Sequence, residues 1–506
     1  MKNLSVAEIA SITGGELIGG NAAPSVGPDV VIDTRKATPG CLFVALPGER
    51  VDGHDFTLAA AEAGAAAVLV TRPTETTAAQ VLVGDGVDAL SSLARHVVAG
   101  ARERGVQVLA LTGSSGKTST KDVLTQLLET HAPTVSPVGS FNNEIGVPLT
   151  ACELDDQSRF LVSEMGARGA GHIAWLCSIV PPDISIVLNV GTAHLGEFGS
   201  VEAIAQAKGE LVEALPEGGW AVLNHDDARV AAMAQRVPSG AQVAWFSLDE
   251  AAQPPAGGLL VQALDVSADD LQRHSFTLRA QGTHSGQARV NLPLMGRHHV
   301  ANAAAAAATA LIAGVDFDDI CQTLSALQHR SAWRMELSIA PDGLAVINDA
   351  YNANPDSMAG ALRTLAEVAR SRKASLRQAC SVAILGDMLE LGERSDQLHA
   401  EVGALAASLG IDRVIAVGEQ AHHVTEGVHQ SPDTATEAEA LSIAAASSLD
   451  LAPDDVVLVK ASRGLALERV AAALLAAHSP VAPAGTDDPQ VEDGSVSAGP
   501  QGGDPA

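Results

Sequence analysis

Short apolar runs that end in glycine or polar residues recur along the chain, and most are followed by a stretch with helical spacing of apolar positions. Such runs have the length of buried strands, and strands that alternate with helices are typical of a parallel α/β sheet. In the middle of the chain these runs are VQVLALTG (106–113), RFLVSEMG (159–166), ISIVLNVG (184–191) and WAVLNHDD (220–227). We therefore predict a mostly parallel sheet built from strand–loop–helix units.

The same pattern resumes near residue 340 and predicts a second α/β sheet. Its runs are LAVIN (344–348), VAILGD (382–387), DRVIAVGE (412–419) and DVVLVKAS (455–462), without a G-x-G-x-x-G dinucleotide signature. The stretch AAAEAGAAAVLVT (59–71) predicts a helix, a turn and a strand in a smaller N-terminal part. We therefore expect an α/β protein with three domains at 1–88, 89–315 and 316–478. The Pro-, Gly- and Asp-rich tail 479–506 is predicted to be disordered.

The composition narrows the possible partners and compartment. Thirty-one basic and 60 acidic residues give a net charge of −29, whereas nucleic-acid binders carry a basic face, so we expect no nucleic acid partner. Five dispersed cysteines without metal-site spacing indicate reduced thiols. The N-terminus lacks the apolar core of a signal peptide, and the Ala-rich stretch 300–315 is too short to span a membrane. We expect a cytoplasmic monomer without stable membrane insertion.

The stretch LALTGSSGKTSTKD (109–122) joins a predicted strand to a predicted helix. The usual phosphate-binding signature G-x-x-x-x-G-K-[ST] would need glycine at Leu111; the nearest glycine is Gly113, so the loop is two residues short. Backbone N–H groups at a helix N-terminus favour an anion, Lys117 would reach the β/γ-phosphates, and the Thr118 hydroxyl would contact Mg²⁺. An ordinary strand-to-helix turn is the alternative, and the strand and helix around the loop favour phosphate binding.

Three further polar residues follow or flank predicted strands. Glu164 ends one strand and His194 follows another; since ligands bind beyond the carboxyl ends of strands in open α/β sheets, both would share the edge of the phosphate loop, and Glu164 could hold Mg²⁺. A surface or packing role is the alternative for each. Lys208, in IAQAKGELVEAL, is predicted from the residues alone to face solvent in an ion pair with Glu210 or Glu213.

Asp349 ends the strand LAVIN and precedes the amide-rich stretch AYNANPDS (350–357). Asp356 or Ser357 could cap the next helix, but a cap alone does not explain the tyrosine and asparagines clustered at a strand's carboxyl end. Arg334 precedes this strand and could reach a ligand there, with a surface salt bridge as the alternative.

These motifs, in this order, resemble the Mur ligases, the ATP-dependent amide-forming enzymes of peptidoglycan precursor synthesis. The family's short loop T-G-[ST]-x-G-K-[ST] matches residues 112–118 and accounts for the missing two residues. The resemblance covers about residues 1–475. It rests on DTRKATPGCLFVALPGERVDGHDF (33–56), FNNEIGVPLT (141–150), NVGTAHLGEFGS (189–200), INDAYNANPDSM (347–358) and LGDMLELGERSDQLHAEVG (385–403). The D-Y-A-H-T-P and D-N-P-R stretches of the sister ligases that add a third residue are not found in the sequence.

The resemblance implies roles for the matching residues around ATP. The ATP-binding residues would be Thr112, Gly113, Ser114, Ser115, Gly116, Lys117, Thr118, Asn302, Arg334 and Asp349. The metal-binding residues would be Thr118, Glu164, His194 and Lys208. Lys117, His194 and Lys208 would be the catalytic residues, with Lys208 carbamylated so that its added carboxylate helps to bind or orient Mg²⁺. That role contradicts the solvent-facing interpretation of Lys208.

The resemblance also implies the substrate contacts. Asp33, Thr34 and Arg35 would bind the UDP end, Asn142 and Asn143 would lie near the γ-phosphate and acceptor, and Asn352, Asn354 and Asp356 would contact the dipeptide. The stretch LVKASRGLALERV (458–470) departs from the family at Ala461, where glycine is expected, and lacks the more basic run after Gly464.

The implied reaction joins D-alanyl-D-alanine to UDP-N-acetylmuramoyl-tripeptide through an acyl phosphate, with release of ADP and phosphate. The implied architecture is a UDP-binding N-terminal domain, a central P-loop ATPase-type domain and a Rossmann-like C-terminal domain. A sister Mur ligase or a folylpolyglutamate synthase-like ligase is the nearest alternative. A P-loop NTPase that acts as a switch and a ligase-like scaffold without catalysis are the rivals from other classes.

Overall fold

The computed structural model describes residues 1–19, 25–48, 51–191, 198–375, 379–432 and 435–479. The N-terminal part contains a five-stranded sheet with the spatial order Glu16–Ile18, Ala79–Leu82, Ala67–Val70, Leu42–Val44 and Val30–Val31. Only its first pair is antiparallel, and Leu4–Ser5 pairs separately with Ser25–Val26. The helices are Val6–Thr13, Thr57–Glu62 and Gly86–Glu103, with 3-10 turns at Thr34–Lys36 and Gly53–Phe56. The helix, turn and strand predicted at 59–71 are confirmed.

The central part is a nine-stranded sheet. Its spatial order is Gly286–Met295, Arg273–Gly282, Leu259–Ala268, Gln242–Ser247, Trp220–Asn224, Ile184–Val187, Gln107–Thr112, Phe160–Glu164 and Thr134–Val135. The helices are Lys117–Glu129, Gly146–Ala151, His172–Ile179, Val201–Glu213, Ala228–Ala232, His298–Ile312 and Phe317–Ser325, with a 3-10 turn at Met233–Arg236. All pairs are parallel except the two formed among the first three strands. The predicted mostly parallel sheet is confirmed.

The three long strands between residues 259 and 295 were not predicted. They are partly amphipathic, as the last one shows: Val290 and Leu292 are buried, whereas Asn291 and Pro293 are exposed. This alternation is typical of a strand with one face on the core and differs from the continuous apolar runs of the four predicted central strands.

The C-terminal part is a six-stranded sheet with the order Glu336–Ile339, Ala345–Asp349, Val456–Lys460, Ser381–Gly386, Arg413–Val417 and Glu437–Ala440. Its first pair is antiparallel and the others are parallel. The helices are Pro355–Ser375, Ser395–Ser408, Ala421–Gln430, Ile443–Ala446 and Glu468–Ala477, with 3-10 turns at Gly392–Arg394 and Arg463–Leu465. The four predicted strands of this part are confirmed.

Two helices disagree with the predicted domain limits. Helix Gly86–Glu103 contains the limit at 88/89, and its side chains share one hydrophobic core with helix Val6–Thr13 and helix His172–Ile179. Helix Phe317–Ser325 lies beyond the limit at 315/316 but packs into the core of the central sheet through Ile320 and Leu324. We propose that the third domain begins after this second helix.

Helix His298–Ile312 contains the Ala-rich stretch and is buried on nearly every side. Its alanines allow it to approach helix Lys117–Glu129 and the sheet beneath closely. Among the described residues, no helix has the length and apolar character needed to cross a membrane. Apart from Ser479, the tail predicted to be disordered lies outside the described residues.

Candidate active site

The loop between strand Gln107–Thr112 and helix Lys117–Glu129 is built around Gly116. This glycine has a φ of +78°, and a Cβ on it would lie 2.9 Å from the side-chain oxygen of Asn302. The backbone N–H of Ser115 donates to Oδ1 of Asn189 over 2.9 Å, and that of Ser114 donates to the Asn189 carbonyl over 3.1 Å. The helix has no side-chain cap, so its first N–H groups are available to an anion.

Lys117 folds back over this loop. Its ammonium donates to the carbonyl oxygen of Gly113 over 2.8 Å. Burial lowers the pKa of Lys117, the nearby Glu164 carboxylate opposes that shift, and Arg334 adds to it. A positive charge is therefore held at the loop at some cost, as suits a group that meets anionic phosphates.

Glu164 is the centre of a buried polar cluster at the end of its strand. It is 1% exposed; its Oε2 accepts from the Thr118 hydroxyl over 2.9 Å and its Oε1 from the Asn142 amide over 2.7 Å. The Ser140 hydroxyl lies 2.6 Å from the Thr118 hydroxyl. Hydroxyl and carboxylate oxygens are thus gathered beside the phosphate loop, and these are the ligand types that Mg²⁺ prefers.

Lys208 is buried, and the prediction from its neighbours that it faces solvent is wrong. It is 3% exposed, and burial, followed by the charge of Lys117, lowers the pKa of Lys208 well below its usual range. The two expected partners are engaged elsewhere. Glu210 accepts from the backbone N–H groups of residues 171 and 174, and Glu213 pairs with Arg236 over 2.9 Å. His194 lies outside the described residues.

The facing wall comes from the C-terminal part. Lys460 pairs with Oδ2 of Asp349 over 2.6 Å and also donates to the Asn352 carbonyl over 2.9 Å. Arg334 lies over the Tyr351 ring, 4.1 Å from its centroid. It also donates to the Ser140 hydroxyl over 2.8 Å, so it contacts the central part instead of forming a surface salt bridge.

The cap of helix Pro355–Ser375 differs from the prediction. Asn354 is the capping residue: its Oδ1 accepts from the Ser357 N–H over 2.9 Å, and its own N–H donates to the Ser357 hydroxyl over 3.0 Å. The prediction that Asp356 or Ser357 caps the helix is therefore wrong for Asp356, while Ser357 acts as the reciprocal partner. The Asp356 carboxylate instead lies against Gly191, where an added Cβ would be 2.6 Å away.

One cavity of about 600 Å³ between the central and C-terminal parts brings most predicted site residues together. These are Ser114, Ser115, Gly116, Lys117, Thr118, Asn142, Asn143, Glu164, Asn302, Arg334, Asp349, Asn352, Asn354 and Asp356. Thr112, Gly113 and Lys208 are not among the residues that line it.

The residues expected at the UDP end, Asp33, Thr34 and Arg35, lie apart from this cavity on a 3-10 turn of the N-terminal part. Arg35 pairs with Asp33 over 2.6 Å, and its hydrogen bonds lower the pKa of Asp33 to about 2. The Arg35 side chain is 87% exposed, so its charge is open to a ligand.

Sequence reasoning missed several residues that line the cavity, namely Ser140, Arg168, His172, Asn189, His298 and His299. Asn189 follows strand Ile184–Val187, and Arg168 lies four residues beyond Glu164. The rule that ligands bind at the carboxyl ends of parallel strands therefore contained a signal for both.

Two buried donors indicate that the cavity fits a nucleotide. The Asn302 amide nitrogen and the Arg334 Nε have no hydrogen-bond partner among the described residues, and buried donors are normally paired. Among the described residues, no group of three or more His, Cys, Asp or Glu side chains is placed to bind a metal ion. Glu164 and Thr118 fit a Mg²⁺ ion that takes its remaining ligands from phosphates and water.

Three family models match the chain. They are described as "Mur ligase family, catalytic domain" over residues 29–112, "Mur ligase middle domain" over 111–310 and "Mur ligase, glutamate ligase domain" over 333–463. A curated relative, the UDP-N-acetylmuramoyl-tripeptide–D-alanyl-D-alanine ligase of Mycobacterium bovis, is 43% identical over 94% of this chain and 98% of its own length.

Two solved structures are similar over most of the chain. One is the UDP-N-acetylmuramoylalanyl-D-glutamyl-2,6-diaminopimelate–D-alanyl-D-alanyl ligase of Acinetobacter baumannii. It has a TM-score of 0.76 and 30% identity, covering 94% of this chain and 99% of that one. The other is the MurF ligase of Thermotoga maritima in complex with ADP. It has a TM-score of 0.69 and 29% identity, covering 88% and 97% of the two chains.

Proposed function

The chain belongs to the Mur ligase family, and from that premise we propose that it joins D-alanyl-D-alanine to UDP-N-acetylmuramoyl-tripeptide with consumption of ATP. The single observation that carries the proposal is the cavity in which the phosphate loop and Glu164 face the amide- and acid-rich C-terminal wall. The relatives named for this reaction match nearly the whole chain, including both walls.

The ATP phosphates would lie on the uncapped N-terminus of helix Lys117–Glu129, where backbone N–H groups and the Lys117 ammonium favour negative charge. Asn302 and Arg334 offer buried donors without partners to the rest of the nucleotide. Arg334 already spans the cavity through Ser140 and Tyr351. It would therefore couple nucleotide binding to the position of the C-terminal wall.

The metal would be held by the oxygens of Thr118 and Glu164, with His194 as a further ligand. When bound, Mg²⁺ neutralises phosphate charge and so favours transfer of the γ-phosphoryl group. Lys208 would contribute as a carbamate, formed when its neutral amine adds CO₂ and releases a proton. Burial supports this role, because it lowers the pKa of Lys208 and so favours the neutral amine.

The reaction itself needs an activated carboxylate and a nearby amine. Phosphorylation turns the acceptor carboxylate into an acyl phosphate, and the dipeptide amine then displaces phosphate to form the amide. The C-terminal wall is lined by Asn352, Asn354 and Asp356. The Asp356 carboxylate would attract the amine of the approaching dipeptide. The two walls would exclude water, since water would hydrolyse the acyl phosphate.

The test is ADP release by the purified protein with Mg-ATP and UDP-N-acetylmuramoyl-tripeptide, with and without D-alanyl-D-alanine. We expect release that depends on both, pentapeptide detected by mass spectrometry, and loss of both signals in Lys117→Met. Lys373→Met is the control, because Lys373 pairs with Asp412 outside the cavity. Release without the dipeptide would indicate a plain NTPase, and release with a single amino acid would indicate a sister ligase.

The carbamate has its own test. Protein equilibrated with ¹³C-labelled bicarbonate and then chemically trapped should carry the label on Lys208, and Lys208→Arg should not. Absence of the label on Lys208 in active wild-type protein would contradict the carbamate without touching the proposed reaction.

A further inference from the structure

A cationic residue that none of the site assignments uses lines the active-site cavity. Arg168 lies on the loop after strand Phe160–Glu164, four residues beyond Glu164, and His172 follows at the start of the next helix. Both line the same cavity as the phosphate loop.

Arg168 forms an ion pair with a residue outside the cavity, and its other side-chain donors have no partner among the described residues. Its Nη1 donates to Oε1 of Glu144 over 3.0 Å, and its backbone N–H donates to Nδ1 of His172 over 3.2 Å. Glu144 does not line the cavity. A guanidinium has five N–H donors, and among the described residues Glu144 is the one side-chain partner of this group. The Arg168 side chain is 62% exposed, so its free donors can meet a ligand.

The loop beside Arg168 connects the cavity to the N-terminal part. The N–H of Gly166 donates to the Asn142 carbonyl over 2.7 Å, which binds the two loops together. Phe141, the residue before Asn142, is 42% exposed and has the Lys36 ammonium 5.9 Å from its ring centroid. Lys36 ends the 3-10 turn Thr34–Lys36 at the expected UDP end. Arg168 therefore lies on the side of the cavity from which the acceptor peptide would enter.

The opposite wall carries both charges, and its carboxylates include that of Asp356. Asp356 lines the cavity from the C-terminal part, where the proposed function places the amine of the dipeptide. The exposed Arg168 guanidinium on the acceptor side favours a carboxylate through charge-assisted hydrogen bonds.

We propose that Arg168 binds a free carboxylate of the acceptor peptide, distinct from the carboxylate that reacts, and so selects the acceptor. This inference rests on the proposed function. Two carboxylates have the required chemistry: the one left free on a glutamyl residue, and the second one of a diaminopimelyl third residue. Both residues occur in the name of the Acinetobacter relative's acceptor. A lysyl third residue lacks the second carboxylate, so the two sources can be separated.

The test is steady-state kinetics with three acceptors: a diaminopimelyl tripeptide, a lysyl tripeptide, and a lysyl tripeptide whose glutamyl carboxylate is amidated. Arg168→Gln should raise the KM for the diaminopimelyl acceptor by about 10- to 100-fold, the loss expected for one charged hydrogen bond. Arg168→Lys should retain part of the affinity. Arg229→Gln is the matched control, because Arg229 forms a 3.0 Å ion pair with Glu202 outside the cavity.

The pattern of KM values across the three acceptors identifies which carboxylate Arg168 binds. A penalty confined to the diaminopimelyl acceptor identifies the third residue as the source. A penalty shared with the lysyl acceptor and absent for the amidated one identifies the glutamyl carboxylate. A raised KM for D-alanyl-D-alanine alone, or unchanged kinetics in folded Arg168→Gln, would overturn the inference. Wild-type protein that forms no pentapeptide from any acceptor would instead overturn the proposed function. If Arg168→Gln melts early, equal wild-type kcat/KM for all three acceptors would still overturn the inference.

Discussion

Substituting Gly116 by alanine tests whether the geometry of the phosphate loop depends on its fit against Asn302. The φ of +78° already disfavours a side chain at this position. In addition, the new Cβ would lie 2.9 Å from the Asn302 side-chain oxygen, closer than ordinary van der Waals contact allows. Asn302 is 6% exposed and belongs to the packed helix His298–Ile312, so relief of the contact has to displace the loop, the Asn302 side chain or both.

The two parts of this perturbation have different consequences. The left-handed backbone costs about 1–2 kcal/mol for alanine, which lowers Tm by about 2–8 °C for a domain of this size. Displacement of the loop removes at least one backbone hydrogen bond to a phosphate, worth about 1.5–3 kcal/mol, and this weakens ATP binding by about 10- to 100-fold. Gly314 separates the two effects, since it has a φ of +93° and nothing within 4 Å of an added Cβ.

The assay is calorimetric titration with Mg-ATP, combined with thermal melting of each variant. Gly116→Ala should lose both stability and affinity, whereas Gly314→Ala should lose stability alone. The double variant Gly116→Ala/Asn302→Ala should lose less affinity than the two single variants added together, because the colliding side chain is gone. Equal ATP affinities for Gly116→Ala and Gly314→Ala would refute the steric reasoning.

Three further outcomes follow from buried groups. Lys460→Met leaves the Asp349 carboxylate without its 2.6 Å partner and should lower the free energy of unfolding by about 3–5 kcal/mol in urea; an unchanged midpoint would contradict this. Burial lowers the pKa of His299 well below 6.5, so the unfolded state binds the proton first. Stability should therefore fall as the pH drops below about 6.5, by up to about 1.4 kcal/mol per pH unit. His299→Asn should flatten that slope and exposed His96→Asn should not. Glu164→Gln should raise the Mg²⁺ concentration for half-maximal activity at least about tenfold, as loss of a charged ligand would, and an unshifted titration would count against its role at the metal.

The strands that position the site could be predicted because each is an uninterrupted apolar run. Strand Phe160–Glu164 is wholly buried, and strand Ala345–Asp349 is buried until its last two residues. The rule that ligands bind at the carboxyl ends of such strands then placed Glu164 and Asp349 in the cavity. Contacts across the two walls could not be predicted in this way. The bond between Arg334 and Ser140 joins residues 194 positions apart, and it exists only because the two sheets pack against each other.

The sequence around Lys208 contains two opposed signals: the nearby glutamates predict exposure, whereas the apolar spacing of the helix predicts burial. Glu210 lies two positions along helix Val201–Glu213 and so faces away from Lys208, since helical neighbours are three or four residues apart. Of the four residues at that spacing, Ile204, Leu211 and Val212 are buried and Ala205 is partly buried. The apolar stripe therefore includes Lys208 and predicts its burial. Burying an unpaired ammonium is costly, so a lysine on such a stripe is expected to be neutral, covalently modified or paired with an anion. This is the environment that the proposed carbamate requires.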